Sequence, residues 1–238
     1  NATSNDWWPD WTADGTQIAF ISDRDGIGNI YLMRSDGQGS RRLTDNGVLD
    51  RLPAWSPDGQ YVVYASDTRD DGTLDLYRVP VTGGEPELLL SNGARNTHPR
   101  YSPDGAWIVF VTGSPDNATT WEIARLNVAS GEVFLLTDNE VRDAAPVYSP
   151  DGTQILFITG TGSDNAIALM PADGTAAPFV LHDSASREGG AYFSPDGDFI
   201  LFDVQEDGES RLFIMLSDGS ALERLSPQGG FYPSWIPG

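Results

Sequence analysis

The sequence predicts an all-β fold, a single β-propeller of four-stranded antiparallel blades. Five blades follow from the complete repeats; six, with one incomplete in this chain, is the alternative. Three observations lead there. The stretch Trp55-Ser56-Pro57-Asp58-Gly59 recurs at Tyr101–Gly105, Tyr148–Gly152 and Phe193–Gly197, with a worn copy at Trp11–Gly15. Its glycines fall at 15, 59, 105, 152 and 197, a near-constant step that marks a repeat architecture. After each copy comes a short run of β-branched and aromatic residues, and nowhere is there a capped stretch of helical period.

Each repeat reads in the same order. A short inner segment ends on an aromatic, as in Pro53-Ala54-Trp55. The Ser-Pro-Asp-Gly turn follows: proline presets φ, aspartate bonds the backbone ahead, and glycine takes the positive φ. The second strand is nearly continuous in apolar residues, such as Tyr61-Val62-Val63-Tyr64 or Ile155-Leu156-Phe157-Ile158, the mark of a strand buried on both faces. A polar loop leads to a more alternating third strand, such as Leu76-Tyr77-Arg78-Val79. A Gly-bearing tight turn, Asp36-Gly37 in the first copy and Gly83-Gly84 in the second, leads to a weak fourth strand. Four strands in about 45 residues make a propeller blade, too small to be stable alone and completed by its neighbours. The expected blades are residues 7–46, 50–92, 96–139, 143–183 and 188–226 of one domain, 1–238, with an extra inner-strand segment at 231–237.

Composition narrows the function. The chain of 238 residues has a formal charge of -21, and all 14 of its basic residues are arginine. So acidic a chain repels nucleic acid and anionic membranes, and no apolar run is long enough to span a bilayer. With no cysteine, thiolate metal sites and cysteine nucleophiles are excluded.

The motif Pro-x-Trp-Ser-Pro-Asp-Gly, the apolar strand, Ser-Asp-x-Asp-Gly, Ile-Tyr and Leu-Thr together resemble the WD40-like (PD40) repeats of TolB-type β-propellers, over residues 7–238. The resemblance implies an extracytoplasmic, periplasmic or extracellular, protein-binding role. Such propellers also serve as scaffolds and as accessory domains of hydrolases, so the repeat specifies fold more than function. Two features depart from TolB itself: the separate N-terminal domain is not in this sequence, and five complete repeats stand where TolB has six blades. Tyr232-Pro233-Ser234-Trp235 begins a sixth inner strand.

The residues that could carry chemistry are few. The repeated Ser-Pro-Asp-Gly aspartates are most simply a turn device. The acidic loops, such as Asp23 with Asp25 and Asp67 with Asp70 and Asp71, carry oxygen ligands of the kind Ca²⁺ takes, but none has the full spacing with a distal Glu. No cofactor is therefore expected beyond a possible Ca²⁺ at those loops, and no metal site is assigned. The only histidines, His98 and His182, sit in different repeats and lack a partner at ligand spacing. No Gly-x-Ser-x-Gly elbow, phosphate loop or dinucleotide fingerprint occurs.

The informative positions are those that vary at one place in every repeat, the approach to each inner strand, where a propeller's channel mouth lies. Three residues before Pro9, Pro53, Pro99, Pro146 and Ala191 stand Asp6, Asp50, Asn96, Asp143 and Glu188. Arginines accompany them: Arg51, Arg95, Arg142 and Arg187. Convergent loops at one end commonly form a site. The expected binding mouth is Trp7, Asp50, Arg51, Arg95, His98, Arg142, Asp143, Arg187, Glu188 and Tyr232, with mutual pairing that merely stiffens the rim as the simpler reading.

Three functions compete. The first is a non-catalytic binding or scaffold module that engages a protein partner through that mouth, without nucleic acid or membrane insertion. The second is a hydrolase or lyase using mouth acids and His98. The third is a structural subunit of a larger envelope assembly, suggested by the unmatched strand at 232–237.

Overall fold

The computed structural model describes residues 4–69, 71–161, 164–184, 186–225 and 235. Twenty strands and one 3-10 turn, Ala118–Thr120, account for its regular structure. The first sheet runs β1 (Asp6–Trp11), β2 (Gln17–Ser22), β3 (Asn29–Arg34) and β4 (Arg41–Arg42) in sequence order, every pair antiparallel. The second is β5 (Asp50–Trp55), β6 (Tyr61–Ser66), β7 (Asp75–Pro80) and β8 (Glu87–Leu90); the third is β9 (Thr97–Tyr101), β10 (Trp107–Thr112), β11 (Glu122–Asn127) and β12 (Val133–Leu135). The last two repeats are β13 (Arg142–Tyr148), β14 (Gln154–Thr161), β15 (Asp164–Pro171) and β16 (Phe179–Asp183), then β17 (Arg187–Phe193), β18 (Phe199–Glu206), β19 (Glu209–Leu216) and β20 (Glu223–Arg224). A single parallel bridge, Asn165 to Arg187, joins these two repeats into one sheet of eight strands.

The chain divides into two compact units, one through Ala118 with Ala124–Phe134, the other Thr119–Ile123 with Leu135–Trp235. In the first unit the period of two on β6 explains its unbroken apolar run. Val63 and Ala65 join Leu76, Ile108 and Phe110 in one core, while Val62 and Tyr64 join Ala19, Ile30 and Leu32 in another. Both faces are thus buried, and each such side chain contributes about 1.5–3 kcal/mol. In the second unit Leu156, Ile158, Ile167, Phe202, Val204 and Met215 form the equivalent core.

The recurring turn is a closed hydrogen-bond device. Ser56 Oγ donates to Asp58 Oδ1 at 2.6 Å, Asp58 Oδ1 accepts the Gln60 amide, and Ser56 Oγ accepts the Tyr61 amide. Thr12–Asp14, Ser102–Asp104, Ser149–Asp151 and Ser194–Asp196 repeat the side-chain pair. Gly59 closes this turn at φ 66°, a value that favours glycine, and Gly15, Gly105, Gly152 and Gly197 do the same at φ of 66° to 81°. The hydroxyl, more than any other group, holds the Asp58 carboxyl below its ordinary pKa. The Leu-Thr pair has a similar job: Thr44 and Thr137 hydroxyls accept the amides of Ile30 and Ile123 at 3.0 and 2.9 Å.

Candidate functional site: the inner-strand mouth

The acids expected at the mouth lie inside. Asp50, Asp143 and Glu188 are 0%, 0% and 1% exposed. Asp50 Oδ1 accepts Ser66 Oγ at 2.6 Å and Asn46 Nδ2 at 3.0 Å, with Ser66 directly opposite it on β6. Asp143 Oδ2 accepts Asn139 Nδ2 at 2.9 Å, and Glu188 Oε1 accepts the Ser184 amide at 2.9 Å. Asn96 does the same work uncharged: it donates to Asn92 Oδ1 and Leu74 O and accepts Thr112 Oγ1. These residues lock four inner strands, β5, β9, β13 and β17, each to the loop before it, whereas Asp6 of β1 is exposed and pairs with Arg24. The expectation of a solvent-facing acidic ring is corrected for Asp50, Asp143 and Glu188, because the loop four residues upstream folds back and supplies their donors. Burial raises the Asp50 and Glu188 pKa values above the ordinary range, partly offset by those donors.

Past the anchor, every inner strand carries a bulge. The register against the second strand slips between Trp7 and Asp10, Arg51 and Ala54, Ala144 and Val147, and Glu188 and Ala191, and likewise in the pairing of β9 with β10. In four repeats the residue before the proline is left-handed: Trp8, Leu52, His98 and Ala145 have φ of 51°, 52°, 53° and 50°. Proline disfavours the right-handed region for its predecessor, and a bulge re-aims the side chain at the slip. The fifth repeat replaces this with Gly189-Gly190-Ala191. A Cβ on Gly189 would lie 2.3 Å from Asp203 Oδ2, so the close approach of that carboxylate requires glycine.

The arginines differ from the acids. Arg51, Arg95 and Arg142 are half-buried and Arg187 is exposed. Arg95 Nη1 donates to Gly72 O at 3.1 Å, and Arg51 Nε is buried without an acceptor among the described residues. Arg142 lies over the Trp121 ring at 5.2 Å. Burial first, and then the nearby Arg95, hold the Arg51 pKa down; burial and then Arg187 do the same for Arg142. Trp7 is 41% exposed on β1, and His98 is half-buried at its bulge. Tyr232 lies outside the described residues. Among the described residues no three His, Asp or Glu are placed to hold a metal ion.

Below the mouth, side chains tie consecutive inner strands of the first unit together. Trp55 donates its amide to Asp10 Oδ2 at 2.8 Å and its indole Nε1 to Asp10 O at 3.1 Å; Arg100 Nη1 reaches Pro53 O at 3.2 Å. Within the second unit, Trp235 Nε1 donates to Tyr192 O at 3.2 Å. Tyr192 holds the place in its repeat that Asp10 holds in the first, so Trp235 stands to β17 as Trp55 stands to β1.

Sequence reasoning missed the upstream partners and the left-handed bulge. The former left a signal: Asp45-Asn46, Ser91-Asn92, Asp138-Asn139 and Asp183-Ser184 each precede the anchor by the same interval.

Comparison with known proteins agrees with this geometry. Residues 1–186 match the family model of the TolB beta propeller domain, PD40. The Tol-Pal system protein TolB of Desulfosudis oleivorans is 42% identical over 67 residues, 28% of this chain and 15% of that protein. The uncharacterized peptidase YuxL of Bacillus subtilis is 37% identical over 68 residues, 28% of this chain and 10% of that protein. The chain thus spans a small fraction of these curated relatives. A solved structure assigned as TolB from Agrobacterium tumefaciens superposes with a TM-score of 0.83 at 25% identity, covering 98% of this chain and 87% of that one. With its all-β architecture of repeated four-stranded antiparallel units, the chain belongs to the PD40 family of TolB-type β-propellers.

Proposed function

We propose that the protein is a non-catalytic, extracytoplasmic binding module that engages a protein partner through its inner-strand mouth. One observation carries the reading. The repeats spend their shared residues on turns and braces, and differ at the bulge: Trp8, Leu52, His98 and Ala145 share one backbone conformation with four different side chains. A fixed backbone with a varied side chain is how a scaffold presents a recognition surface. Membership of a family that includes Tol-Pal system proteins supports the same direction. The likeness to YuxL involves 10% of that protein.

The test is affinity capture from the native envelope fraction with wild-type protein and with a Trp7→Ala, Leu52→Ala double variant. Specific capture by the wild type, lost in a variant that still melts cooperatively, is expected. Capture that is unchanged in the variant, or turnover of a substrate abolished by His98→Ala, would overturn the reading.

A further inference from the structure

The arginines at the mouth are placed against the electrostatic logic of the rest of the chain. Acids outnumber bases 35 to 14, so an arginine has carboxylates to choose from. Away from the mouth Arg41 and Arg100 bond backbone carbonyls instead, while six arginines take carboxylates: Arg24, Arg34, Arg42, Arg69, Arg78 and Arg211. Arg142 and Arg187 do not. Among the described residues no carboxylate lies within ion-pair distance of either.

Their backbone places them at the same end of neighbouring repeats. Arg142 and Arg187 are the first residues of β13 and β17, paired with Gly160 and Gln205. Arg187 is drawn in by its parallel bridge to Asn165 on β15. Two cations thus head consecutive inner strands at the same end. Arg142 lies over the Trp121 ring at 5.2 Å, a cation–π contact that helps to fix the position of its planar guanidinium. Burial first, and then the Arg187 charge, hold the Arg142 pKa down. The first unit has a related arrangement, in which Leu74 bridges Arg95 in parallel, Arg95 and Asp67 both lie near Arg51, and Arg51 Nε has no acceptor among the described residues. Like charges brought together without counter-charge cost free energy, which a bound anion recovers.

We infer that the Arg142–Arg187 pair is a carboxylate clamp, and that it reads an acidic segment of the protein partner. This rests on the binding-module reading and specifies its partner. Guanidinium forks match carboxylates bidentately, and two of them within one mouth suit consecutive or closely spaced Glu and Asp side chains. The inference runs against net charge: a chain at -21 repels an acidic partner at long range, so recognition must be local. Raising salt then weakens the long-range repulsion and the local pairing together, which leaves a shallow salt dependence.

The probe is fluorescein-labelled pentaglutamate, compared with pentaglutamine, pentalysine and free glutarate, by anisotropy at low and at physiological salt. Wild type, Arg142→Gln/Arg187→Gln and the outer-face control Arg34→Gln are measured after melts confirm folding. We expect pentaglutamate to bind the wild type, to bind the double variant at least tenfold more weakly, and to be indifferent to Arg34→Gln. Pentalysine, held by net charge, should bind both equally. Pentaglutamine should bind neither. Equal pentaglutamate affinity in wild type and double variant, or none in the wild type, overturns the clamp. Glutarate binding as tightly as pentaglutamate assigns the site to a small dicarboxylate and overturns the partner segment. The two readings fail separately. Capture of an envelope partner that ignores Arg142→Gln/Arg187→Gln leaves the binding module standing without the clamp. Arginine-dependent pentaglutamate binding with no partner captured leaves the clamp without the module.

Discussion

Asp50 offers the sharpest test of the bracing argument. It is fully buried, its Oδ1 accepts Ser66 Oγ and Asn46 Nδ2, and its amide donates to Gly28 O at 2.9 Å. Asp50→Ala leaves the buried Ser66 hydroxyl without its acceptor, at about 1–3 kcal/mol before local relaxation, and also removes the bond from the exposed Asn46 amide. A net loss at the top of that range, about 3 kcal/mol, lowers Tm by roughly 6–12 °C in a chain of this size. Asp50→Asn should behave differently, because the third repeat already carries asparagine there. Asn96 donates to Asn92 Oδ1 and to Leu74 O, and its own amide also donates to Leu74 O. An asparagine at 50 finds the same partners once the Asn46 amide turns to present Oδ1, with Gly28 O in the role of Leu74 O. We expect it to cost no more than about 1 kcal/mol. The pH dependence has a definite sign. Burial raises the Asp50 pKa above 3.8, so folding favours the protonated acid. Its contribution is fully present below the unfolded-state value and is lost as pH rises through the folded one. Wild type should therefore lose stability relative to Asp50→Asn as pH rises from 3.8 through the higher folded-state pKa, by urea denaturation at several pH values. An asparagine variant as unstable as the alanine one, or a pH-independent difference between wild type and Asp50→Asn, would refute the account.

Three further outcomes follow from the same geometry. Ser102→Ala removes the hydroxyl that donates to Asp104 and accepts the Trp107 amide at 3.0 Å; it should cost about 1–2 kcal/mol in a thermal melt and raise the Asp104 titration seen by NMR, since that hydroxyl is the main cause of its lowered pKa. At Ala145, held at φ 50°, glycine should be tolerated within about 1 kcal/mol while valine costs more than that, because a β-branched side chain fits the left-handed region worst. Trp55→Phe keeps an aromatic ring but deletes the indole bond to Asp10 O and leaves space in the core around it, and should lower stability by at least about 1 kcal/mol on denaturant titration.

The repeat was legible because its devices are local. Ser-Pro-Asp-Gly closes its own hydrogen bonds within six residues, and the apolar second strand announces two buried faces, so turn, strand and blade order all followed from spacing. The mouth was less legible because its logic is tertiary. Asp50, Asp143 and Glu188 read as surface charges until loop closure from Asn46, Asn139 and Ser184 places them inside. The left-handed residue before each proline left no mark either, since Trp8, Leu52, His98 and Ala145 share no chemistry. What they share is a slip in register that side-chain identity does not encode.

That slip has an evolutionary consequence. The bulge is set by the flanking backbone pairs and by the rigid residue that follows it, so exchanging its side chain leaves the strand register intact. Duplication of one repeat therefore copies a vacant letter together with the frame that displays it. Divergence can begin at that letter without first repairing the fold, and an array of near-identical units can come to spell different surfaces while each keeps the same skeleton.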